Sequence, residues 1–203
     1  MFPRQLKVGG ITYRVLLVDL VDEHQGLRGQ IIHDEATVRV SADQPEDAQY
    51  ESLLHETVHA CEIAAGFKLP EDTVERLARA LFAILRDNPS LFRGQDWELP
   101  AAIKVGGIRY AVRLMDLVEP KTNTISWTKS LEREVAIDRR LPAPVQRREM
   151  AFALINLAAH FARLELKLNH VWGLGYWLLA VLTDNPDLLG SAEVTSGGSP
   201  EAN

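Results

Sequence analysis

The sequence predicts an α+β protein in which one small unit, a short antiparallel sheet followed by a pair of helices, occurs twice in tandem. Three observations predict this organisation. Strand-like alternation is interrupted by glycine pairs, helix-length apolar patterns follow proline-acid dipeptides, and much of the first half recurs 97 residues later. With 203 residues and 46% apolar content, the chain can bury a sizeable core.

Two hairpins open the chain. Residues 6–8 and 11–15 flank Gly9-Gly10, and a tight two-residue turn needs positive φ at both of its positions, which glycine adopts readily. Residues 28–33 and 37–40 alternate in polarity around Asp34-Glu35-Ala36 and predict the second hairpin. We expect these four strands to form a small antiparallel sheet.

Two helices follow the sheet. Pro45-Glu46-Asp47 predicts the start of the first helix and Gly66 its end, while Pro70-Glu71 predicts the start of the second. Apolar residues of the second helix recur at helical spacing: Val74, Leu77, Ala78, Leu81, Phe82 and Leu85. The second helix is therefore expected to pack back along the first.

The first of these helices contains the motif His55-Glu56-x-x-His59. At about 100° per residue, the two imidazoles lie about 40° apart and one turn along the helix, so both can reach one metal ion. Glu56 lies about 60° from His59 and can reach a water molecule beside the metal. Two imidazoles, a carboxylate base and an open position for water are the parts of a hydrolytic zinc site.

The second helix offers the third ligand. Glu71 lies about 60° from the centre of the apolar stripe and Glu75 about 100° from it, so we assign Glu71 and keep Glu75 as the alternative. In another interpretation, Glu71 only complements the helix dipole. Glu62 shares the ligand face of the first helix, where it either holds an imidazole N–H from the second shell or is an exposed acid on the last turn.

The first half resembles phage and prophage proteins of the ImmA/IrrE type over residues 6–91. The features that resemble this family are Gly9-Gly10-x-x-Tyr13, Gly29, Leu53-Leu54-His55-Glu56-x-x-His59-Ala60, Glu71-x-x-Val74-x-x-Leu77-Ala78 and Asp87-Asn88-Pro89. The family consists of zincin-like metallopeptidases. The resemblance therefore implies a zincin-type helix pair, with zinc on His55, His59 and an acidic residue of the next helix, and with Glu56 as the base. Several members have a Glu-Ala-Asn triplet on that helix, which this chain lacks.

The second half repeats the first. Between residues 7–21 and 104–118, 11 of 15 positions are identical, and Asp184-Asn185-Pro186 restates Asp87-Asn88-Pro89. This repeat predicts one domain over residues 1–95, a degenerate duplicate over 96–190, and a disordered tail over 191–203 that is rich in serine and glycine.

The duplicate lacks the metal motif. At an offset of 97 the three motif positions hold Phe152, Ala153 and Asn156, and at an offset of 101 they hold Asn156, Leu157 and His160. In the following helix, polar or small residues of the first copy give way to Trp172, Tyr176 and Trp177. Such an apolar helix is expected to be buried on more than one side. The aromatic residues would fill the vacated cleft, or form a contact between the two copies or between two chains of a homodimer.

Composition limits the class of protein. A net charge of −6 argues against binding to nucleic acid, no apolar run is long enough to span a membrane, and the first residues lack a signal-peptide pattern. A single cysteine, Cys61, excludes an internal disulfide and is expected to be a core residue. We expect a cytoplasmic protein, which the family resemblance places in the cytoplasm of a phage host.

The predicted function is zinc-dependent hydrolysis of a specific protein target, with Glu56 as the catalytic base. Two alternatives remain open. The protein could use zinc only for stability and bind a partner without cutting it. It could also be a structural phage protein in which the histidine motif only packs a helix.

Overall fold

The structure is a computed structural model that describes residues 1–22, 26–92, 97–117 and 125–189. Within these ranges the protein is α+β, with two four-stranded sheets and four helices in two repeated sheet-plus-helix units. The predicted domain boundary at residue 95 and the predicted tail from residue 191 lie outside the described residues. No helix in these ranges combines the length and apolar content that crossing a membrane requires.

The two units contain the same elements in the same order. The first consists of β1 (Gln5–Val8), β2 (Ile11–Val18), β3 (Gly29–Ile32), β4 (Thr37–Ser41), α1 (Glu46–Ala65) and α2 (Glu71–Asp87). The second consists of β5 (Ala102–Val105), β6 (Ile108–Met115), β7 (Ser126–Lys129), β8 (Glu134–Asp138), α3 (Ala143–Phe161) and α4 (Leu168–Asp184). Apart from the last residue of α3, every boundary recurs at an offset of 97. That offset is the structural register, and the alternative of 101 is wrong.

Each sheet is mixed, which corrects the prediction of an antiparallel sheet. The strand order is β1-β2-β4-β3, and both hairpins are antiparallel as predicted, but β2 pairs with β4 in parallel. The second hairpin places β4 inside the sheet, where Val38 and Val40 are fully buried. Strand β3 therefore lies at one edge of the sheet, with β1 at the other, and β3 packs against α1.

Both glycine pairs form the predicted turns. Gly9 and Gly10 have φ values of 58° and 85°, and Gly106 and Gly107 have values of 55° and 79°. An L residue with a side chain would be strained in this left-handed region. At Gly106 a side chain would also collide with a neighbour, because its Cβ would stand 2.2 Å from the ring of Phe161.

The two units share one core. Helix α1 packs against α4 and α2 against α3, and the buried apolar residues of both units form a single cluster. The apolar face predicted for α2 is buried in it. Cys61 also lies in this cluster, as predicted, and burial raises the pKa of its thiol. In each unit the first helix thus packs on its own sheet, whereas the second helix packs against the first strand of the other unit.

Reciprocal hydrogen bonds join the two units. The Asn88 side chain accepts from the N–H of Lys104 at 2.8 Å and donates to the Lys104 carbonyl at 2.7 Å. Asn185 forms the same two hydrogen bonds with Lys7, at 2.8 Å and 3.0 Å. Because the two asparagines are equivalent in the repeat, as are the two lysines, the units are related by an approximate twofold axis.

The prediction that α4 is buried on more than one side is correct for Trp177 but not for its neighbours. Trp177 packs between the units, with its ring 3.1 Å from the position that a Cβ on Gly9 would occupy. Trp172 and Tyr176 are 53% and 56% exposed. These two aromatic residues neither fill the second unit nor cover the first, and they line an open cleft instead.

Candidate metal centre

Helix α1 positions both histidines of the motif on one side of the first unit. Leu53, Leu54 and Val58 are buried and hold the opposite side of the helix in the core. The side chains of His55 and His59 are each 19% exposed, and their Nε2 atoms lie 3.1 Å apart. The i, i+4 spacing therefore brings the two imidazoles together.

Glu71 joins the two histidines from the start of α2. Its carboxylate oxygens lie 2.9 Å from Nε2 of His55 and 3.3 Å from Nε2 of His59. Gly66, with a φ of 76°, ends α1 and lets the chain return so that α2 begins beside the motif. Glu75 instead forms an ion pair with Arg79 at 2.9 Å. The structure thus brings Glu71, rather than Glu75, to the histidines.

The three ligand atoms have the spacing that a metal ion requires. In a tetrahedral zinc site with bonds of about 2.0 to 2.2 Å, two ligand atoms lie about 3.3 Å apart. Here the two Nε2 atoms lie 3.1 Å apart, and each of the two Glu71 oxygens lies 2.9 Å or 3.3 Å from one of them, so the group could hold a metal ion. Two imidazoles and one carboxylate are also a donor set found in catalytic zinc sites. In the described parts of the chain, no second group of this kind occurs.

Glu62 orients His59 from the side away from the ligand group. One carboxylate oxygen lies 2.8 Å from Nδ1 of His59, and the other accepts the backbone N–H of Leu69. Glu62 is only 2% exposed, so its interpretation as an exposed acid on the last turn is wrong. A carboxylate that holds the proton on Nδ1 leaves the lone pair of Nε2 directed at the metal position.

The two histidines differ in their affinity for protons. Burial lowers the pKa of His55, and the neighbouring charge of His59 lowers it further. Burial also acts to lower the pKa of His59, but the hydrogen bond with Glu62 and the nearby carboxylates outweigh it, so this pKa is raised. Metal ions bind neutral imidazole, so a metal ion held here would compete with protons at both histidines.

Glu56 lies against β3 and is buried. Burial raises the pKa of Glu56 to about 7, although the charge of His59 and a hydrogen bond from the Ile31 backbone act in the opposite direction. A Cβ on Gly29 would stand 2.9 Å from the Glu56 carboxylate, so the carboxylate fits here because residue 29 is glycine. A carboxyl group that titrates near neutral pH is suited to accept and return a proton.

A cleft of about 410 Å³ opens beside the ligand group. It lies between the start of β3 and the facing sides of α1 and α2, and His55, Glu56 and Glu71 line it. Arg79 lines the same cleft, where its guanidinium binds Glu51 at 3.1 Å as well as Glu75. The site is therefore a concave surface open to solvent, with the buried carboxyl on its wall.

Sequence reasoning missed the pairing of Tyr13 with His33. The Tyr13 hydroxyl lies 3.0 Å from Nδ1 of His33. Burial lowers the pKa of His33, and so does the charge of His59, which places the pair close to the site. The two residues lie 20 positions apart along the chain and meet only in the folded sheet. No local sequence pattern predicts this contact.

Comparisons with protein-family models, with curated proteins and with solved structures found no match for this chain. The features that bear on function are therefore the group formed by His55, His59 and Glu71 and the residues around it.

Proposed function

We propose that the protein is a zinc-dependent metallopeptidase that hydrolyses a specific protein target. The observation that supports this most is the convergence of His55, His59 and Glu71 beside the buried carboxyl of Glu56. The resemblance of the first half to metallopeptidases of the ImmA/IrrE type supports the same assignment. It also supports a phage or prophage origin and a place in the cytoplasm.

The residues of the site have separate roles in metal binding and in proton transfer. His55, His59 and Glu71 would hold zinc, which supplies a Lewis acid and lowers the pKa of water to about 7. Glu56 accepts a proton from the attacking water and returns it to the leaving amine, and its near-neutral pKa suits both transfers. The edge strand β3 offers backbone groups to an extended substrate beside the cleft.

Metal content is the first test. After exhaustive dialysis, elemental analysis should find about one zinc ion per chain, and His55→Ala or His59→Ala should remove it because two ligands bind far more weakly than three. Glu71→Gln should weaken binding, whereas Glu75→Gln should leave it unchanged. No zinc in the purified protein, and no uptake when zinc is added, would contradict the proposal.

Hydrolysis is the second test. A peptide library analysed by mass spectrometry should show cleavage by the zinc-loaded protein. Glu56→Gln should slow this cleavage by about 10²- to 10⁴-fold while zinc stays bound, because only the base is removed.

The alternative of a zinc-stabilised binding protein is favoured by one observation, the cleft in a second unit that lacks the motif. Zinc binding with no cleavage of the library or of host-cell proteins would support that alternative. A structural phage protein would bind no zinc.

A further inference from the structure

The cleft beside His55, Glu56 and Glu71 is called the metal cleft below. The second unit has a cleft at the equivalent position. Its volume is about 940 Å³, against about 410 Å³ for the metal cleft. Equivalent elements form the two clefts, although Ala64 and Ala65 of α1 also line the second, and many of the lining residues correspond at the offset of 97. Three such pairs are His55 and Phe152, Glu56 and Ala153, and Glu71 and Leu168. The duplicate thus lacks these three site residues but retains the concave surface.

Aromatic side chains replace an ion pair in this second cleft. Trp172 and Tyr176 occupy the positions of Glu75 and Arg79, and both are more than half exposed. Trp127 approaches from β7, with the ammonium group of Lys129 4.6 Å from its ring centre. Exposed aromatic residues that converge on one concave surface are typical of a binding site. We call the surface of Trp127, Trp172 and Tyr176 the aromatic recess.

The polar groups of the cleft do not form a metal site. Glu149 is 4% exposed, accepts a hydrogen bond from the Ser126 hydroxyl at 2.6 Å, and pairs with Arg148 at 3.0 Å. Its carboxylate is therefore satisfied within the protein. The ligand that suits this cleft is an apolar group rather than a cation.

Strand β7 forms one wall of the cleft and indicates the kind of ligand. Among the strands that the structure describes, β7 pairs with β8 alone, so its other side lies at the sheet edge. An extended peptide can pair with such an edge and direct alternate side chains to the same face. Lys129 at the end of β7 adds a positive charge that favours an acidic residue in the same peptide. A small apolar molecule would use neither the edge nor the charge.

We propose that the second unit binds an extended peptide by addition to β7, with large apolar side chains of the peptide in the aromatic recess. The bound peptide is held and not cut, because Phe152 and Ala153 stand where His55 and Glu56 stand in the first unit. The choice of a peptide rests in part on the proposed function of the first unit. Binding is tested below without hydrolysis, so the two proposals can fail separately.

The test uses the full chain with Glu56→Gln, so that no peptide is cleaved. The probes are acetylated and amidated hexapeptides with phenylalanine or leucine at alternate positions and one glutamate, such as Thr-Phe-Thr-Phe-Thr-Glu. Isothermal titration calorimetry measures binding, because one of the variants lacks Trp172. We expect saturable binding of these peptides, and binding at least about tenfold weaker in the double variant Trp172→Glu/Tyr176→Arg.

The double variant is designed to keep the fold. It places in α4 the i, i+4 pair that Glu75 and Arg79 form in α2, and both replaced side chains are exposed. Circular dichroism and thermal unfolding should match the parent protein. Leu20→Glu is the matched control, because it also replaces an exposed apolar residue by an acid but lies in the first unit. It should leave peptide binding unchanged.

Three further outcomes would overturn the proposal. N-methylation of the peptide amides that face β7 should abolish binding, so unchanged affinity would show that only apolar contact matters. If none of the alternating peptides binds, and the double variant turns a dimer into a monomer in sedimentation, the aromatic recess is an interface between two chains. Absence of both binding and self-association would also overturn the proposal.

Discussion

The position of the Glu56 carboxylate depends on Gly29, the residue that it faces. Gly29 on β3 approaches α1 so closely that its missing side chain makes room for the Glu56 carboxylate. The equivalent residue in the second unit is Ser126, opposite Ala153, so the fold itself accepts a side chain at this position. The Glu56 carboxylate therefore requires a glycine at residue 29, whereas the sheet does not.

We expect Gly29→Ala to displace the flexible end of Glu56 and to leave the zinc ligands in place. The rate of hydrolysis should fall by about 10- to 100-fold, because a displacement of about 1 Å in a reacting group has effects of this size. Steady-state kinetics and zinc analysis on the same preparation measure the two effects. Loss of zinc with the variant would show that Gly29 supports the ligands and not the base.

Asp138 makes the stability of the second unit depend on pH. Hydrogen bonds from the guanidinium and backbone of Arg140 lower the pKa of Asp138 from 3.8 to about 2. A carboxyl group whose pKa is lower in the folded chain stabilises the protein above its unfolded pKa, and this stabilisation is lost as the pH falls through the folded pKa.

Asp138→Asn should therefore lower the free energy of unfolding at pH 7 and make its decline between pH 4 and pH 2 less steep. Urea unfolding at a series of pH values measures both effects. An equally steep decline in the two proteins would show that the pKa of Asp138 is not lowered by folding.

At the scale of elements, the ends of α2 and α4 hold the two units together. Asn88 and Asn185 follow these helices directly, and each bonds to the backbone of the first strand of the other unit. Each side chain also donates to the carbonyl four residues earlier in its own helix. The repeated Asp-Asn-Pro sequence thus joins a helix end to a neighbouring sheet.

We expect Asn88→Ala and Asn185→Ala each to lower the free energy of unfolding by about 1 to 3 kcal/mol, because each leaves backbone groups of a strand without their partner. The distant pair of changes should be nearly additive. Chemical denaturation measures these effects, and Asn169→Ala, an exposed position on α4, is the control. An effect no larger than that of the control would mean that water replaces these hydrogen bonds at no cost.

At the scale of the whole molecule, each unit covers apolar helix surface of the other. Helix α1 buries a face against α4 and α2 buries a face against α3, so separation would expose apolar surface on both helices of each unit. Lys7 is the counterpart of Lys104, so two copies of the first unit carry the groups needed to repeat the asparagine contacts between chains.

We expect residues 1–92 alone to be poorly soluble or to form a dimer that imitates the intact chain. Sedimentation and thermal unfolding of this fragment, compared with the full chain, test the expectation. A soluble monomer that binds zinc and unfolds cooperatively at the temperature of the full chain would show that the second unit is not needed for stability.

The sequence by itself determined the features that depend on neighbours along the chain. Proline-acid dipeptides and Gly66 predicted where α1 begins and ends and where α2 begins, and the i, i+4 spacing predicted that His55 and His59 share one face. The repeat predicted a second unit with the same elements, and the structure places them at the offset of 97. These signals are local because turns, helix ends and helical faces are set by a few consecutive residues.

Only the tertiary structure decided which elements meet. It paired β2 with β4 in parallel, buried Glu62 behind His59, and brought Tyr13 to His33. It also left the second cleft open, although the apolar sequence of α4 predicted a buried helix. Such contacts join residues that are distant along the chain, and their stability comes from burial and hydrogen bonds that exist only once the whole fold has formed.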